Sequence, residues 1–185
     1  MKQCIGHGKA AGERVEIHEG YEPGLVGRVA ELHGRYYAAA WGAGAPFEIL
    51  MAREFCDFIE RYDPENDIVL SAHLDGEIIG SIAILGRNPG PDGVQLRFFI
   101  VDPAYHGREA GKALLGQALD WCRRRCFLNV FLWTVEHLPQ SRGLYEKAGF
   151  RVTERCPDCR YTVHRDNIKM KLTMSDLRHV DYKVR

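Results

Sequence analysis

The alternation of strand-type and helix-type segments along the chain predicts an α/β (α+β) fold with seven strands and four helices. Two observations carry this prediction. Residues 96–101 form a nearly continuous apolar run that is typical of a buried strand, and the segment behind it, 113–125, repeats apolar residues at helical spacing. Asp75-Gly76, between two strand-like runs, is a strong signal for a type I′ hairpin turn.

The first half of the chain predicts one strand, two helices and a hairpin. We expect a flexible N-terminal tail over 1–13, which is rich in glycine and lysine, and a linker rich in tyrosine and tryptophan over 35–44. The two prolines and three glycines of 86–93 predict a loop, because they cannot hold a ladder. The predicted strands are 14–19, 68–74 and 77–85, and the predicted helices are 25–34 and 47–62.

The second half continues with strands and one short helix. Pro103 has no amide hydrogen and ends the strand at 96–101, while Gly149 ends the last helix. A polar loop is predicted over 156–167. The remaining predicted elements are strands at 130–135, 150–154 and 168–174 and a helix at 141–148.

Composition places the chain among globular proteins and narrows its partners. The 25 Lys and Arg residues balance 25 Asp and Glu residues, whereas a nucleic-acid-binding protein usually carries a basic excess, so we expect no nucleic-acid partner. The chain has no long apolar run without charges and no apolar segment near its start. We therefore expect no membrane span, no signal peptide and a cytoplasmic location.

The cysteines do not predict a metal site. The six cysteines are Cys4, Cys56, Cys122, Cys126, Cys156 and Cys159. Cys156 and Cys159 form a C-x-x-C, for which His164 is the nearest further ligand. Because no second C-x-x-C completes a zinc set and no secretion signal is present, we expect free thiols and no metal.

The turn between the strand at 96–101 and the next helix has the features of an anion-binding site. The first amides of a helix lack internal partners, and the helix dipole is positive there. Gly107 and Gly111 would let a ligand approach the backbone, and Arg108 and Lys112 add positive charge. The alternative is an ordinary strand-to-helix turn. The spacing fits neither a P-loop nor a dinucleotide fingerprint, so nucleotide hydrolysis is not expected.

This stretch resembles motif A of the GNAT family of N-acetyltransferases, in which a strand ending V-x-P leads to [QR]-x-x-G-x-[GA] and an apolar helix. Here Val101-Asp102-Pro103 precedes HGREAG at 106–111, with His106 in place of Gln or Arg and Glu109 in place of Gly. Residues 144–150, LYEKAGF, resemble motif B of the same family. The two motifs occur in order, and the resemblance covers about 15–174.

The resemblance implies the GNAT fold: a mixed, mostly antiparallel sheet of six or seven strands flanked by about four helices. It also implies a single N-acetyltransferase domain over 14–185. The paired early helices, Trp133-Thr134 and the S-R-x-L-Y run at 141–145 are most similar to acetyltransferase domains fused to MarR-type regulators in bacteria. We expect no such DNA-binding domain before Val15, and a homodimer is compatible with the family.

The family resemblance further implies acetyl-coenzyme A as the cosubstrate. Its pantetheine arm would pair with the strand edge near Phe99, Ile100 and Val101, where a backbone amide would also stabilise an oxyanion. Its pyrophosphate would contact the turn and the helix N-terminus. The implied cofactor-binding residues are Phe99, Ile100, Val101, His106, Gly107, Arg108, Glu109, Ala110, Gly111, Lys112, Ser141 and Tyr145.

Tyr145 aligns with the general acid of the family. A neutral tyrosine can donate a proton to a departing thiolate, because the ordinary pKa of a phenol lies above that of a thiol. The resemblance does not identify the general base. Trp133 holds the place where some relatives carry Glu. Glu136 or His137 could act through a water, and His73 is a weaker candidate. Leu138 replaces an Asn that holds the cofactor in many relatives.

The acceptor is predicted to be a primary amine on a small molecule or a peptide. Its pocket is expected to come from Tyr36, Tyr37 and Trp41, the second helix and the loop at 156–167, since aromatic rings pack carbon chains and attract ammonium groups. The alternative is that they only pack over the sheet. The predicted function is acetyl transfer to the amine by direct attack through a tetrahedral intermediate. The alternative is a GNAT module that binds acyl-coenzyme A without turnover, as a sensor or partner protein.

Overall fold

The computed structural model describes residues 14–107, 109–136, 139–157 and 166–176. Within these ranges, seven strands form one mixed sheet in the order β1-β2-β3-β4-β5-β7-β6, in which only β4 and β5 are parallel. This confirms the predicted fold class. The strands are β1 Glu16–Glu19, β2 Ile68–Leu74, β3 Glu77–Gly90, β4 Gly93–Val101, β5 Asn129–Val135, β6 Arg151–Pro157 and β7 Asp166–Thr173. The α-helices are α1 Leu25–Trp41, α2 Ala45–Glu60, α3 Ala110–Arg124 and α4 Pro139–Ala148.

The helices cover the two faces of the sheet. Along β2, Val69 packs with the buried residues of α1 and α2, such as Phe55, whereas its neighbour Leu70 packs with those of α3, such as Leu114. This alternation follows from the two-residue period of a strand. Among the helices that the structure describes, none combines the length and apolarity that a bilayer crossing requires.

Helix α1 is longer than predicted, and the expected linker over 35–44 is wrong. A helix was expected to end at Gly34, but this glycine lies inside α1 against α2, where a Cβ would come within 2.9 Å of the Glu48 side chain. Gly34 therefore allows two helices to pack closely instead of ending one. The helix ends at Gly42, which has φ +70°. Most of the expected linker, up to Trp41, is thus helical.

The loop predicted at 86–93 is mostly strand. β3 continues to Gly90, β4 begins at Gly93, and these two residues pair across a turn at Pro91 and Asp92. A register shift between Leu85 and Gly90 accommodates the residues around the first proline, because a bulge leaves ladder positions unpaired.

The predicted loop at 156–167 begins and ends as strand, with Cys156 opposite Asn167 on β6 and β7. Cys156 is disulfide-bonded, so the expectation of a free thiol there is wrong. Cys56, Cys122 and Cys126 are free. Residues 1–13, Cys159 and His164 lie outside the described residues.

Candidate functional site

The site begins where the two parallel strands separate. β4 and β5, both described over their full length, pair at Val94 with Val130 and at Gln95 with Phe131, and their ladder ends there. A cavity of about 530 Å³ lies where they diverge, lined by residues 96–101 of β4 and 132–135 of β5. A cavity of this size falls within the usual range for small-molecule sites.

A bulge shapes the β4 wall of the cavity. Ser81 pairs with Ile100 and Ala83 with Arg97, so two residues of β4, Phe98 and Phe99, oppose one residue of β3. Phe98 has φ +52°, which is uncommon for a residue with a side chain. The buried Ser81 hydroxyl donates to the Phe98 carbonyl at 2.8 Å and holds this conformation. Bulges of this kind free backbone groups from the ladder.

A tight turn connects β4 to α3. The Asp102 carboxylate accepts from the Ala104 amide at 3.0 Å and opens a short 3₁₀ turn, Pro103–Tyr105. His106 Nε2 lies 3.1 Å from the Val101 carbonyl, so the ring folds back on the strand end. Gly107 has φ +85°, and among the described residues no atom beyond its own and its chain neighbours' lies within 4 Å of the place where its Cβ would be. The turn therefore presents open backbone just before the helix N-terminus.

Glu109 is the N-cap of α3 and has φ +65°. This left-handed conformation explains why the family motif has glycine at this position. The Glu109 carboxylate lies 2.6 Å from Lys112 Nζ, so the negative charge near the helix start is offset by a neighbouring ammonium. Both side chains are about half exposed, so the pair is adjustable and of small energetic weight.

Tyr145 on α4 is buried at the cavity wall. Its ring lies 5.8 Å from that of Phe99 and 5.7 Å from that of Phe150. Burial raises the pKa of its hydroxyl far above the ordinary value, and the nearby Tyr37 and Tyr36 raise it further. The phenol is therefore protonated throughout the physiological pH range and can act as a proton donor.

Aromatic side chains of α1 form the opposite wall of the cavity. The Tyr37 ring lies 4.4 Å from that of Trp41 and 4.8 Å from that of Phe47 on α2, and the Tyr36 ring meets Tyr37 edge to face at 5.0 Å. Because α1 continues to Trp41, the helix places the rings of Tyr37 and Trp41 one turn apart on the same face. Edge and tilted ring contacts fix them as one unit.

The cavity-lining residues that were not predicted as site residues include His33 of α1 and Arg97 of β4. His33, placed by sequence on the apolar face of α1, lines the cavity and is buried, with Nδ1 2.8 Å from the Val29 carbonyl. Burial lowers the pKa of His33 to about 4, a backbone hydrogen bond opposes the shift, and Arg97 adds to it. Arg97 also lines the cavity and pairs with Glu54 of α2. For His33, the signal in the sequence is a titratable residue within the apolar face of a helix.

The structure brings most of the predicted site residues to this one cavity. The predicted residues that line it are Tyr36, Tyr37, Trp41, Phe99, Ile100, Val101, His106, Gly107, Glu109, Ala110, Gly111, Lys112, Ser141 and Tyr145. Arg108, His137 and Leu138 lie outside the described residues. Buried Asn167, at the predicted loop's end, is a further lining residue.

The base candidates that the structure describes lie elsewhere. Glu136 is not among the lining residues, and its carboxylate lies 3.2 Å from Arg155 and 3.8 Å from Arg142. His73 lies on β2, two strands away from β4, beside Glu22 and Ser71. The assembled site can thus bind an elongated ligand along β4, hold its anionic group on the turn and donate a proton from Tyr145.

Comparisons with known proteins agree with this geometry. The family model described as acetyltransferase (GNAT) family matches residues 27–150. A search of curated protein sequences gives no match.

Solved structures share the fold at low sequence identity. A Salmonella typhimurium protein crystallised with acetyl-coenzyme A superposes with a TM-score of 0.69 at 16% identity, covering 93% of this chain and 99% of that one. A spermidine N-acetyltransferase from Vibrio cholerae, in complex with coenzyme A and spermine, gives 0.67 at 15% identity over 88% and 97%. The ribosomal-protein-S18-alanine N-acetyltransferase from Escherichia coli gives 0.65 at 20% identity over 89% and 97%. Since the family model spans more than half of the sequence, the chain belongs to the GNAT family of acetyltransferases.

Proposed function

We propose that this protein transfers an acetyl group from acetyl-coenzyme A to a primary amine, by direct attack through a tetrahedral intermediate. One observation carries the proposal: the diverging strands β4 and β5, the open turn at Gly107 and the buried hydroxyl-bearing Tyr145 all border one cavity. A thioester donor needs an extended slot, an anion site and a proton donor. These are the features that meet here.

The backbone of the turn fits the diphosphate of coenzyme A. A Cβ at Gly107 would meet no side chain or more distant backbone of the described residues within 4 Å, whereas a Cβ at Gly111 would contact Leu144, Phe99 and Val101 at 3.5 to 3.7 Å. The first glycine thus leaves room for a ligand, and the second lets α3 pack on the sheet and α4. Gly107, Gly111, Lys112 and the first amides of α3 would hold the anion. Arg108 is retained as a proposed ligand of the same group.

Acetyl-coenzyme A would supply an activated acetyl group whose departing sulfur must gain a proton. Tyr145 would donate that proton, because its burial keeps the phenol neutral. Backbone amides freed by the bulge at Phe98 and Phe99 would stabilise negative charge on the acetyl oxygen. Glu136, which follows the cavity-lining Val135, or His137 would accept the amine proton through a water.

The aromatic wall would hold the carbon skeleton of the acceptor. The rings of Tyr36, Tyr37 and Trp41 offer apolar and cation–π contact. Arg97, a charged residue of the cavity lining, has its positive charge balanced by Glu54. Two of the similar structures described above have names that state an acceptor: spermidine for the Vibrio cholerae protein and an alanine of a ribosomal protein for the Escherichia coli protein. A first panel would therefore compare spermidine, an alanyl peptide and phenethylamine, of which the aromatic wall favours the last.

The test is a Tyr145→Phe variant, measured by thiol release with the amine panel and by calorimetric titration with acetyl-coenzyme A. Loss of a general acid typically costs about 10²- to 10⁴-fold in rate. We expect at least a hundredfold fall in kcat with the affinity for acetyl-coenzyme A unchanged.

Tyr21→Phe is the matched control, because Tyr21 is 54% exposed and outside the cavity. Equal turnover in Tyr145→Phe and wild type would contradict the role of Tyr145. Binding of acetyl-coenzyme A without turnover of any amine would favour the alternative, a GNAT module that acts as a sensor or partner protein. The likeness to domains fused to MarR-type regulators, a homodimer and a cytoplasmic location stay predictions.

A further inference from the structure

A second group of chemically active side chains lies outside the cavity, at the β1 edge of the sheet. His18 on β1, Glu22 in the connection to α1 and His73 on β2 each place one ligand-type atom within 4.8 Å of the other two. None of these three residues lines the cavity. The N-acetyltransfer proposed above makes no use of them.

Strand register brings the two histidines together. β1 and β2 are antiparallel, with Glu16 opposite His73 and His18 opposite Ser71, so the two histidines are diagonal neighbours on one face. Their rings stack with centroids 4.0 Å apart. Glu22 follows β1 by three residues and leans over the same face.

The carboxylate of Glu22 approaches one nitrogen of each imidazole. Its Oε1 lies 2.8 Å from His73 Nε2 and accepts from the Ser71 hydroxyl at 2.5 Å, while its Oε2 lies 3.8 Å from His18 Nδ1. Burial raises the pKa of Glu22, but the hydrogen bonds from Ser71 and His73 outweigh it and lower the pKa below its ordinary value. Glu22 is thus ionised at neutral pH.

We propose that His18, Glu22 and His73 form a binding site for a divalent transition-metal cation, with Zn²⁺ as the typical occupant. Two imidazoles and one carboxylate suit zinc, nickel or copper, whereas magnesium and calcium prefer oxygen ligands. Three protein ligands leave a fourth position for water. The cation would take the place of the proton between His73 and Glu22.

Metal coordination requires that one of the three ligands move closer to the others, and His18 can do so. A tetrahedral site with bonds of about 2.0 to 2.1 Å separates its ligand atoms by about 3.3 Å. His73 is buried and held by Glu22 and Ser71, whereas the His18 side chain is 48% exposed and can turn out of the ring stack to close the distance. The Ser71 hydroxyl would orient the carboxylate from the second coordination shell.

A bound cation would join three parts of the fold. It would link the edge strand β1, the neighbouring strand β2 and the start of α1, the helix that carries Tyr36, Tyr37 and Trp41 at its far end. The expected role is structural, because the cluster is separate from the cavity. Binding to the folded state alone raises the melting temperature.

The test is calorimetric titration of the full chain with ZnCl₂ at pH 7.5, comparing wild type with His18→Ala and Glu22→Gln. We expect one zinc equivalent in the wild type that each variant loses or binds at least about tenfold more weakly. Glu19→Gln, on the same strand but outside the cluster, is the matched control and should keep the wild-type isotherm. Zinc bound at cysteines would be common to all four proteins.

Thermal unfolding with and without ZnCl₂ gives the second readout. The zinc-dependent rise in melting temperature should be larger in wild type and Glu19→Gln than in His18→Ala. Because His18 is half exposed, its replacement should leave the metal-free protein folded, which circular dichroism checks. Identical stoichiometry, affinity and thermal shift in wild type and His18→Ala would overturn the proposal, whether or not the protein transfers acetyl groups.

Discussion

The two ends of the cavity are built from different parts of the chain. The end beside α3 is mainly backbone: a bulge at Phe98, the open turn at Gly107 and the first turn of a helix. The end beside α1 is mainly side chain, with aromatic rings from α1 and α2 packed around Tyr37. A backbone-built end binds groups that many ligands share. A side-chain-built end can be changed residue by residue to select one acceptor.

The largest effect is expected at the side-chain end, where His33 is held neutral. Its pKa in the folded protein, about 4, lies below the ordinary value of 6.5, so between these pH values the unfolded chain binds a proton that the folded chain does not. The free energy of unfolding therefore falls as pH drops below 6.5. At pH 5.0 the loss amounts to about 2 kcal/mol relative to pH 7.5.

Urea unfolding at the two pH values, for wild type and His33→Gln, measures this loss. We expect the wild type to lose about 2 kcal/mol more than the variant. Tyr21→Phe, at an exposed position outside the cavity, serves as the control and should keep the wild-type pH dependence. An equal acid sensitivity of wild type and His33→Gln would show that the buried imidazole is not the titrating group.

The next effect is expected at the backbone end. Gly107→Val would fill the space above the turn and force a branched side chain to φ +85°. We expect the affinity for acetyl-coenzyme A to fall by at least about tenfold, measured by calorimetry, because the anion can no longer reach the amides. The backbone strain should also lower the free energy of unfolding by about 1 to 2 kcal/mol.

Gly20→Val separates strain from binding. Gly20 has φ +94° and equally open surroundings, but it lies outside the cavity. This control should lose similar stability and keep its affinity for acetyl-coenzyme A. If both variants bound the cofactor as the wild type does, the turn would not be the anion site.

The smallest effect is expected from Trp41→Ala at the side-chain end. Removing one ring contact of this kind costs about 0.5 to 1.5 kcal/mol, which corresponds to roughly a 2- to 13-fold higher KM for an aromatic amine. The affinity for acetyl-coenzyme A should not change. Steady-state kinetics with phenethylamine and calorimetry with acetyl-coenzyme A measure the two quantities. If Trp41 belonged to the cofactor end, the affinity for acetyl-coenzyme A would fall and the KM for the amine would not change.

The same contrast explains which site residues could be predicted from the sequence. The turn at 102–111 and the motif around Tyr145 are contiguous stretches, so their resemblance to the GNAT motifs predicted cofactor-binding residues that all border the cavity wherever the structure describes them. His33 and Arg97 were missed because their role depends on α1, α2 and β4 meeting in space. The pairing of Arg97 with Glu54 joins residues far apart in the sequence, and no local pattern encodes it.

The sequence by itself determined the order of elements, the hairpin at Asp75-Gly76 and the strand-turn-helix unit that ends β4. These features depend on local backbone preferences and on the periodicity of apolar residues. Only the tertiary structure decided that α1 runs through Gly34 to Trp41, since the packing of Glu48 against that glycine involves a second helix. It also decided where β4 and β5 separate, because a cavity depends on contacts between strands and not within one.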